Sequence, residues 1–378
     1  MTRRPLAGVR VLDFSTLLPG PLCTLLLAEA GAEVVKVERP GRGDEMRAYE
    51  PRFGTDSVNF ALLNRGKRSV TLDLKNPIDA QAAVALARDA DVLVEQFRPG
   101  VMDRLGLGYD VLSALNPRLV YCSISGYGQT GPMADVAAHD LNYQAETGML
   151  GLSAGADGKP GLPQALVADI GGGAYPAALN ILLALRQRDA DGKGCHLDVA
   201  MADNLFTFMY WGLGNGFSGG GWPKPGAELV TGGTPRYQVY ATADGRFLAA
   251  APLEQKFWEK FVEVIGRPDL VDDRADPEAV RAAIAKTIAS RSAADWAARF
   301  DGVDACVCVV KSLEEAVANP HFHARGLFDR QVETADGQAI PALPLPVAGI
   351  GRDAQARRYP GLGEGNVDFV GAPLEVKK

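Results

Sequence analysis

The chain has 378 residues, more than one ordinary domain holds and enough for two hydrophobic cores. Its 47% hydrophobic and 22% charged residues give a globular balance, which excludes a disordered chain. The formal net charge of −7 removes general electrostatic support for a nucleic-acid partner but leaves room for an anionic ligand held by local basic residues.

The opening stretch MTRRPLAGVRVLDF carries three arginines and no long apolar run, which argues against a signal peptide. An apolar strand is expected over residues 9–14. A helical pattern follows over 21–30 and is closed by Gly31. Residues 33–38 alternate around Val34, Val35 and Val37 as a second strand. Further strands are expected over 69–72, 91–95 and 119–123, with a helix over 80–90. Strands separated by helices imply a mostly parallel sheet with ligand loops at its C-terminal strand ends. The loop after the first strand reads STLLPGPLCTLL. Its single glycine does not make the Gly-x-Gly-x-x-Gly fingerprint of dinucleotide binding.

Residues 142–152 predict a helix. Residues 168–188 predict a long apolar one, opened by a glycine cluster and containing Ala177, Leu179, Ile181, Leu182 and Leu185. A short strand is expected at 195–199, and residues 201–213 are expected to be apolar and buried. The stretch 214–233 holds eight glycines together with Trp222, Pro223 and Pro225, the composition of a functional loop or domain crossover. A second unit follows, with strands near 237–240 and 246–251 and then helices. No unbroken apolar run of about 18 residues predicts a membrane span. The five cysteines (Cys23, Cys122, Cys195, Cys306 and Cys308) are odd in number and irregular in spacing, as expected of a reduced cytoplasmic protein.

Among chemistry-bearing residues, His139 lies in AAHDLNY at the start of a helical pattern. An imidazole there exchanges protons near neutral pH; the structural alternative is a helix-start histidine. Asp169, in LVADIGGGAYP, stands where a carboxylate caps a helix. The three glycines after it let a ligand approach the backbone, and their amides suit a developing oxyanion. Glu254 follows an apolar run and reads equally as a third acid or as a helix-start carboxylate. His196 reads as structural. His321 and His323 lack an evident third ligand, so no metal site is expected. Arg39, Arg65, Lys67, Arg68, Lys75, Arg98 and Arg104 fall near strand ends, where together they suit the phosphates of a nucleotide-like handle.

The segments PLAGVRVLDF, GAEVVKVERPG, NRGKRSVTLDLK, ADVLVEQFRPGVMDRLGLG, NPRLVYCSISGYGQTGP, HDLNY, LVADIGGG, GKGCHLDVAM, GGTPRYQVYATADGRF and DACVCVV occur in this order along nearly the whole chain. In them the sequence resembles the family III CoA-transferases (the CaiB/BaiF type), a group that also contains the alpha-methylacyl-CoA racemases. The resemblance implies an α/β fold. A large Rossmann-like, CoA-binding domain would be built from residues 1–225 with 331–378 returning to it. A smaller α+β domain would span 226–330, and two chains would form an interlocked homodimer. It implies an acyl-CoA thioester as substrate, coenzyme A entering only as part of it, no required cofactor, no metal, and a soluble cytoplasmic enzyme. In the transferases the residue matching Asp169 forms an anhydride; in the racemases it pairs with the residue matching His139 across the alpha carbon. Glu254 matches an acid present in both branches. Contacts to CoA are implied for Arg39, Leu72, Lys75, Phe97 and Arg104, and Leu17 and Leu18 match the loop beside the thioester. The His-Asp-x-Asn-Tyr segment resembles the racemases, whereas PRYQVY departs from them and FSGGGWPKPG resembles the glycine-rich loop of transferases. The expectation leans to 2-methylacyl-CoA racemisation. CoA transfer to a carboxylate acceptor is the alternative, and a non-catalytic CoA-binding protein the residual one.

Overall fold

The computed structural model describes residues 4–153, 155, 158–273, 276–349 and 357–370. By contact density the chain divides into two units. One comprises Met1–Thr147, Pro163–Phe208 and His321–Lys378; the other comprises Gly148–Leu162 and Met209–Pro320.

The first unit is an α/β domain around a six-stranded sheet: β1 (Arg10–Asp13), β2 (Glu33–Glu38), β3 (Arg68–Thr71), β4 (Val92–Glu95), β5 (Val120–Ser125) and β6 (Cys195–Ala200). All are parallel, in the order β3-β2-β1-β4-β5-β6. This is the doubly wound order of Rossmann sheets, with its reversal between β1 and β4. Both faces are covered, so the strands are near-continuous apolar runs. Leu12 lies opposite Val35 on one side and Leu93 on the other, at the centre of the core. Helix α1 (Pro19–Glu29) has proline in its first turn, where the missing amide costs no helical bond. All eleven of its residues are buried, which accounts for apolar character on every side. Helix α2 (Pro77–Arg88) is capped by Asn76, whose side chain accepts from the Ile78 amide, and packs Ala83 and Ala87 onto the sheet. Helix α3 (Tyr109–Leu115) adds Leu112 to the same face.

The predicted helix over 142–152 is two pieces. Helix α4 (Asp140–Glu146) stops before Gly148, whose left-handed φ of 83° ends it, and a short turn Met149–Leu152 lies beyond. The expected long helix begins not with a cap but with a π-helical segment, Ala168–Ala174, which runs into α5 (Tyr175–Asp191). Helix α5 buries Ala177, Ile181 and Leu185 and exposes Leu179, Leu182 and Leu183. Ala168–Asp191 is long and apolar enough to cross a membrane, but half of the apolar window is buried within the chain, as in a core helix. Residues 201–213 are not uniformly buried either. Helix α6 (Met201–Leu205) is largely covered, whereas Phe206, Phe208 and Tyr210 are exposed. Three short elements escape sequence periodicity: the 3₁₀ turn Glu45–Ala48, the hairpin of Arg52–Phe53 with Asp56–Ser57, and the helix Val58–Asn64, capped by Ser57. The C-terminal segment packs on the first unit. The Tyr359 hydroxyl donates to the Phe53 carbonyl (2.7 Å), and the Asn366 side chain bonds Thr71 on β3.

The second unit carries an antiparallel sheet of β7 (Gln238–Ala241), β8 (Phe247–Ala250) and β9 (Val307–Val309), with β8 central. Helix α7 (Tyr210–Phe217) runs into the stretch 214–233 where a glycine-rich loop was expected. Gly212 and Gly216 lack the Cβ that would collide with Pro223 and Trp222, which fold back against them. Helices α8 (Gln255–Val264), α9 (Pro277–Ile288) and α10 (Ala293–Phe300) contribute Trp258, Phe261, Ile284, Ile288, Trp296 and Phe300 to one core. Both indole N–H groups are satisfied by carbonyls, Trp258 by Val271 and Trp296 by Ile288.

Candidate active site

The loops after β1 and β4 diverge at the point where the strand order reverses, the expected crevice of a doubly wound sheet. They are tied together: Gly20 donates its amide to Gln96 Oε1 (3.0 Å), and a Cβ on Gly20 would strike the Ser15 side chain. Two cavities of the first unit meet here, and Phe97 lines both.

The first, of about 500 Å³, has an apolar floor of Phe14, Val37, Leu72, Leu74, Val101 and Leu105. Arg39 and Lys75 stand at its wall with Asp44 and Glu45. Arg39 is exposed and pairs with Glu45 at 3.0 Å, so it is available to an anion. An apolar cleft with Arg39 and Lys75 in its lining can take an aromatic, phosphorylated ligand.

The second, of about 400 Å³, is lined by Leu17, Gln96, Ser125, His139, Tyr143 and Asp169 among others. His139 is the N-cap of α4, with extended backbone (φ −130°, ψ 177°), and its amide donates to Asn142 Oδ1. The helix-start position therefore holds for the backbone, while the residue also lines the cavity. Asp169 is the second residue of the π segment, half-buried. Burial pushes its carboxyl up to about 7, and the neighbouring charge of Asp140 adds to the effect. Tyr143 is lifted to about 12, by burial first and then by Asp169, and its hydroxyl donates to the Ala138 carbonyl.

Asp140 escaped the sequence reading. Its buried carboxylate accepts the amides of Ala168 and Asp169 on Oδ1 (2.8 and 3.0 Å) and Gln144 Nε2 on Oδ2. One side chain thus fixes the turn bearing Asp169 to the helix that begins at His139. Its adjacency to His139 in sequence was the available signal. Of the backbone amides around the carboxyl, those of His139, Asp169 and Ile170 have partners. The three glycines serve close packing. A Cβ on Gly172 would meet the Met201 carbonyl oxygen at 2.4 Å, and one on Gly171 the Phe208 ring at 2.6 Å.

Of the other expected contacts, Arg39, Leu72, Lys75 and Phe97 line the first cavity and Leu17 the second. Leu18 is the N-cap of α1 and lines neither. Arg104 is exposed at the end of the turn Val101–Arg104, which contributes Val101 to the first cavity instead. Glu254 lies in the second unit, exposed, as the N-cap of α8. His196 stacks on Tyr109 (5.1 Å between centroids) and bonds Ser123 Oγ at 2.9 Å. Among the described residues no cluster of three potential metal ligands occurs.

Comparison with known proteins adds to this geometry. Residues 6–366 match CoA-transferase family III. The chain is 37% identical to the alpha-methylacyl-CoA racemase of Homo sapiens, covering 90% of this chain and 86% of that protein. It is 34% identical to the acetyl-CoA:oxalate CoA-transferase of Acetobacter aceti, over 91% of this chain and 90% of that protein. The crystal structure of a CAIB/BAIF family protein from Brucella suis superposes with a TM-score of 0.83 at 28% identity, covering 98% of this chain and 99% of that one.

Proposed function

The chain belongs to CoA-transferase family III, a family of acyl-CoA-handling enzymes, and from that premise we propose that it exchanges the alpha proton of a 2-methylacyl-CoA, inverting the carbon through an enolate. The observation that carries this reading is the shared cavity: an imidazole and a carboxyl held near neutral pKa line the same space. The thioester acidifies its alpha proton. One group removes it, and the conjugate acid of the other returns a proton to the opposite face. A carboxyl at about 7 is suited to both halves of that cycle at neutral pH. Arg39 and Lys75 would meet the phosphates of CoA and Leu72 and Phe97 its adenine, with Arg104 reaching the handle from the rim. Leu17 and Leu18 belong to the loop beside the thioester. The reading needs no cofactor beyond the CoA of the substrate. It includes a homodimer, supported by the exposed leucines of α5.

The similarity to acetyl-CoA:oxalate CoA-transferase favours a second reading. There Asp169 attacks the donor thioester to give an acyl anhydride and free CoA thiolate. The thiolate then takes the aspartyl carbonyl as an enzyme thioester and releases the first acid, and an acceptor carboxylate completes the exchange.

Incubation with 2-methylacyl-CoA in D₂O, without any free carboxylate, tests the choice. Deuterium at C2, lost in Asp169→Asn and in His139→Ala, is the expected result. Full exchange activity in Asp169→Asn sinks the assignment. A CoA thioester on Asp169, seen directly by mass spectrometry or converted by hydroxylamine to the aspartyl hydroxamate with release of CoA, decides for transfer.

A further inference from the structure

The loop between β1 and α1 stands where dinucleotide-binding sheets use glycines to shape the backbone. Here a leucine takes the unusual conformation: Leu17 has φ 61°, a left-handed value that leucine disfavours. What holds it there is charge. The Leu17 amide donates to both carboxylate oxygens of Asp44, at 3.1 and 3.2 Å. Asp44 in turn meets Lys36 Nζ at 3.0 Å, and neither side chain has any exposure. Lys36 also donates to the Ser15 carbonyl (2.7 Å), and Asp13 Oδ1 accepts the Ser15 amide (2.9 Å). Burial alone would neutralise these groups. Asp13, Asp44 and Glu38 nonetheless hold the Lys36 ammonium above its ordinary range, and Lys67 and Lys36 bring Asp13 down to about 2. A buried ion pair is weak evidence for stability, since its desolvation offsets its attraction. Three buried charges around one short loop have a better rationale in fixing its shape.

Asp44 also reaches the other cavity. It lines that cavity directly, and its Oδ1 accepts the Met46 amide (3.0 Å), capping the turn that carries Glu45 into the same wall. We propose that Asp44, held by Lys36, is a positioning residue: it fixes Leu17 in the left-handed conformation that forms the wall beside the reacting acyl group and ties that wall to the cleft for the CoA handle. The assignment rests on the acyl-CoA reading of the two cavities.

A cycle of variants tests it, using whichever reaction the wild type catalyses, C2 exchange or CoA transfer. Asp44→Asn replaces one accepting oxygen by a donor and removes the charge. It is expected to lower kcat by about 10²-fold, the scale of a misplaced reacting group, with KM for the thioester changed far less. In a Leu17→Gly background, where left-handed backbone needs no clamp, the same change at Asp44 is expected to cost less than about fivefold. Equal losses in both backgrounds, or no loss in either, overturn the proposal. Should Asp44→Asn not fold, the leucine is tested alone: Leu17→Val, which resists positive φ, is expected to lose more kcat than Leu17→Gly, and the reverse order overturns it. Calorimetric titration with CoA separates the two levels. A wild type that neither binds CoA nor turns over an acyl-CoA overturns the acyl-CoA reading and this inference together. CoA binding and turnover with undiminished kcat in Asp44→Asn overturn this inference alone.

Discussion

Glu95 ends β4, 4% exposed, two residues before the Phe97 that lines both cavities. Its Oε2 accepts the Phe97 amide at 2.8 Å. Burial is the largest influence on it and raises it from 4.5 to about 7. Hydrogen bonds from Ser123 and Phe97 pull it back, and Asp103 and Asp198 push it further up. Between those two values the folded chain keeps a proton that the unfolded chain has released. Stability therefore falls as pH rises from 4.5 to about 7 and levels off above. The difference corresponds to about 3 kcal/mol. In Glu95→Gln this component is expected to vanish, so urea unfolding at pH 5 and pH 8 should show the wild type losing about 2–3 kcal/mol more than the variant across that interval. Equal losses would rule out Glu95 as the source. Asp169 titrates in the same window, and the comparison with the variant removes its contribution. At this scale His139 and Asp169, singled out in the sequence as a histidine at a helix start and an acid before three glycines, line one cavity. Asp44 and Asp140 were not singled out. Each reads as an ordinary acid near a turn or helix start, and their partners at Leu17 and Lys36, or at Ala168 and Asp169, come from segments that only the fold brings near.

The strands of the first sheet were readable as apolar runs because both of their faces are covered, and β2 coincides with its expected span of 33–38. The glycine cluster was misread at the level of the element. Gly171, Gly172 and Gly173 suggested an open approach for a ligand, whereas they sit inside a π segment pressed against α6 and its flanks. The consequences of adding a methyl group differ within the trio. At Gly172 the obstacle is the backbone oxygen of Met201, and the Gly172 carbonyl also accepts from Asn204 Nδ2, so neither side yields easily. At Gly171 the obstacle is the exposed Phe208 ring, which can swing away. Gly172→Ala is accordingly expected to destabilise the chain by about 1–3 kcal/mol in urea denaturation, and Gly171→Ala by clearly less. Similar losses at both positions would show that the Met201 contact is not the determinant.

At the scale of the molecule, α5 is the long apolar helix that the sequence predicts, and the single chain leaves its Leu179 and Leu183 each 58% exposed. Phe206 and Phe208 of the same unit are uncovered as well. Apolar surface of this kind on a folded chain marks an interaction site, and a second copy of the chain is the occupant proposed above. Light scattering after gel filtration should give twice the 40.1 kDa chain mass, and Leu183→Glu should shift the population toward monomer or aggregate. A wild type that elutes as a monomer would exclude the homodimer. The parallel sheet follows from strand and helix patterns that act within a few residues. The exposed leucines do not, because periodicity reports that a face is apolar without saying which chain covers it.

The π segment has a geometric consequence for the catalytic proposal. A π turn holds one residue more than an α turn, so it shifts the phase of everything before it by about 100° relative to everything after it. Asp169 lies before most of that extra turn and the packed face of α5 lies after it. The direction of the carboxylate is thereby decoupled from the helical register that buries Ile181 and Leu185. One continuous helix would have to choose between aiming its acid and seating its core. The surplus residue lets this chain do both.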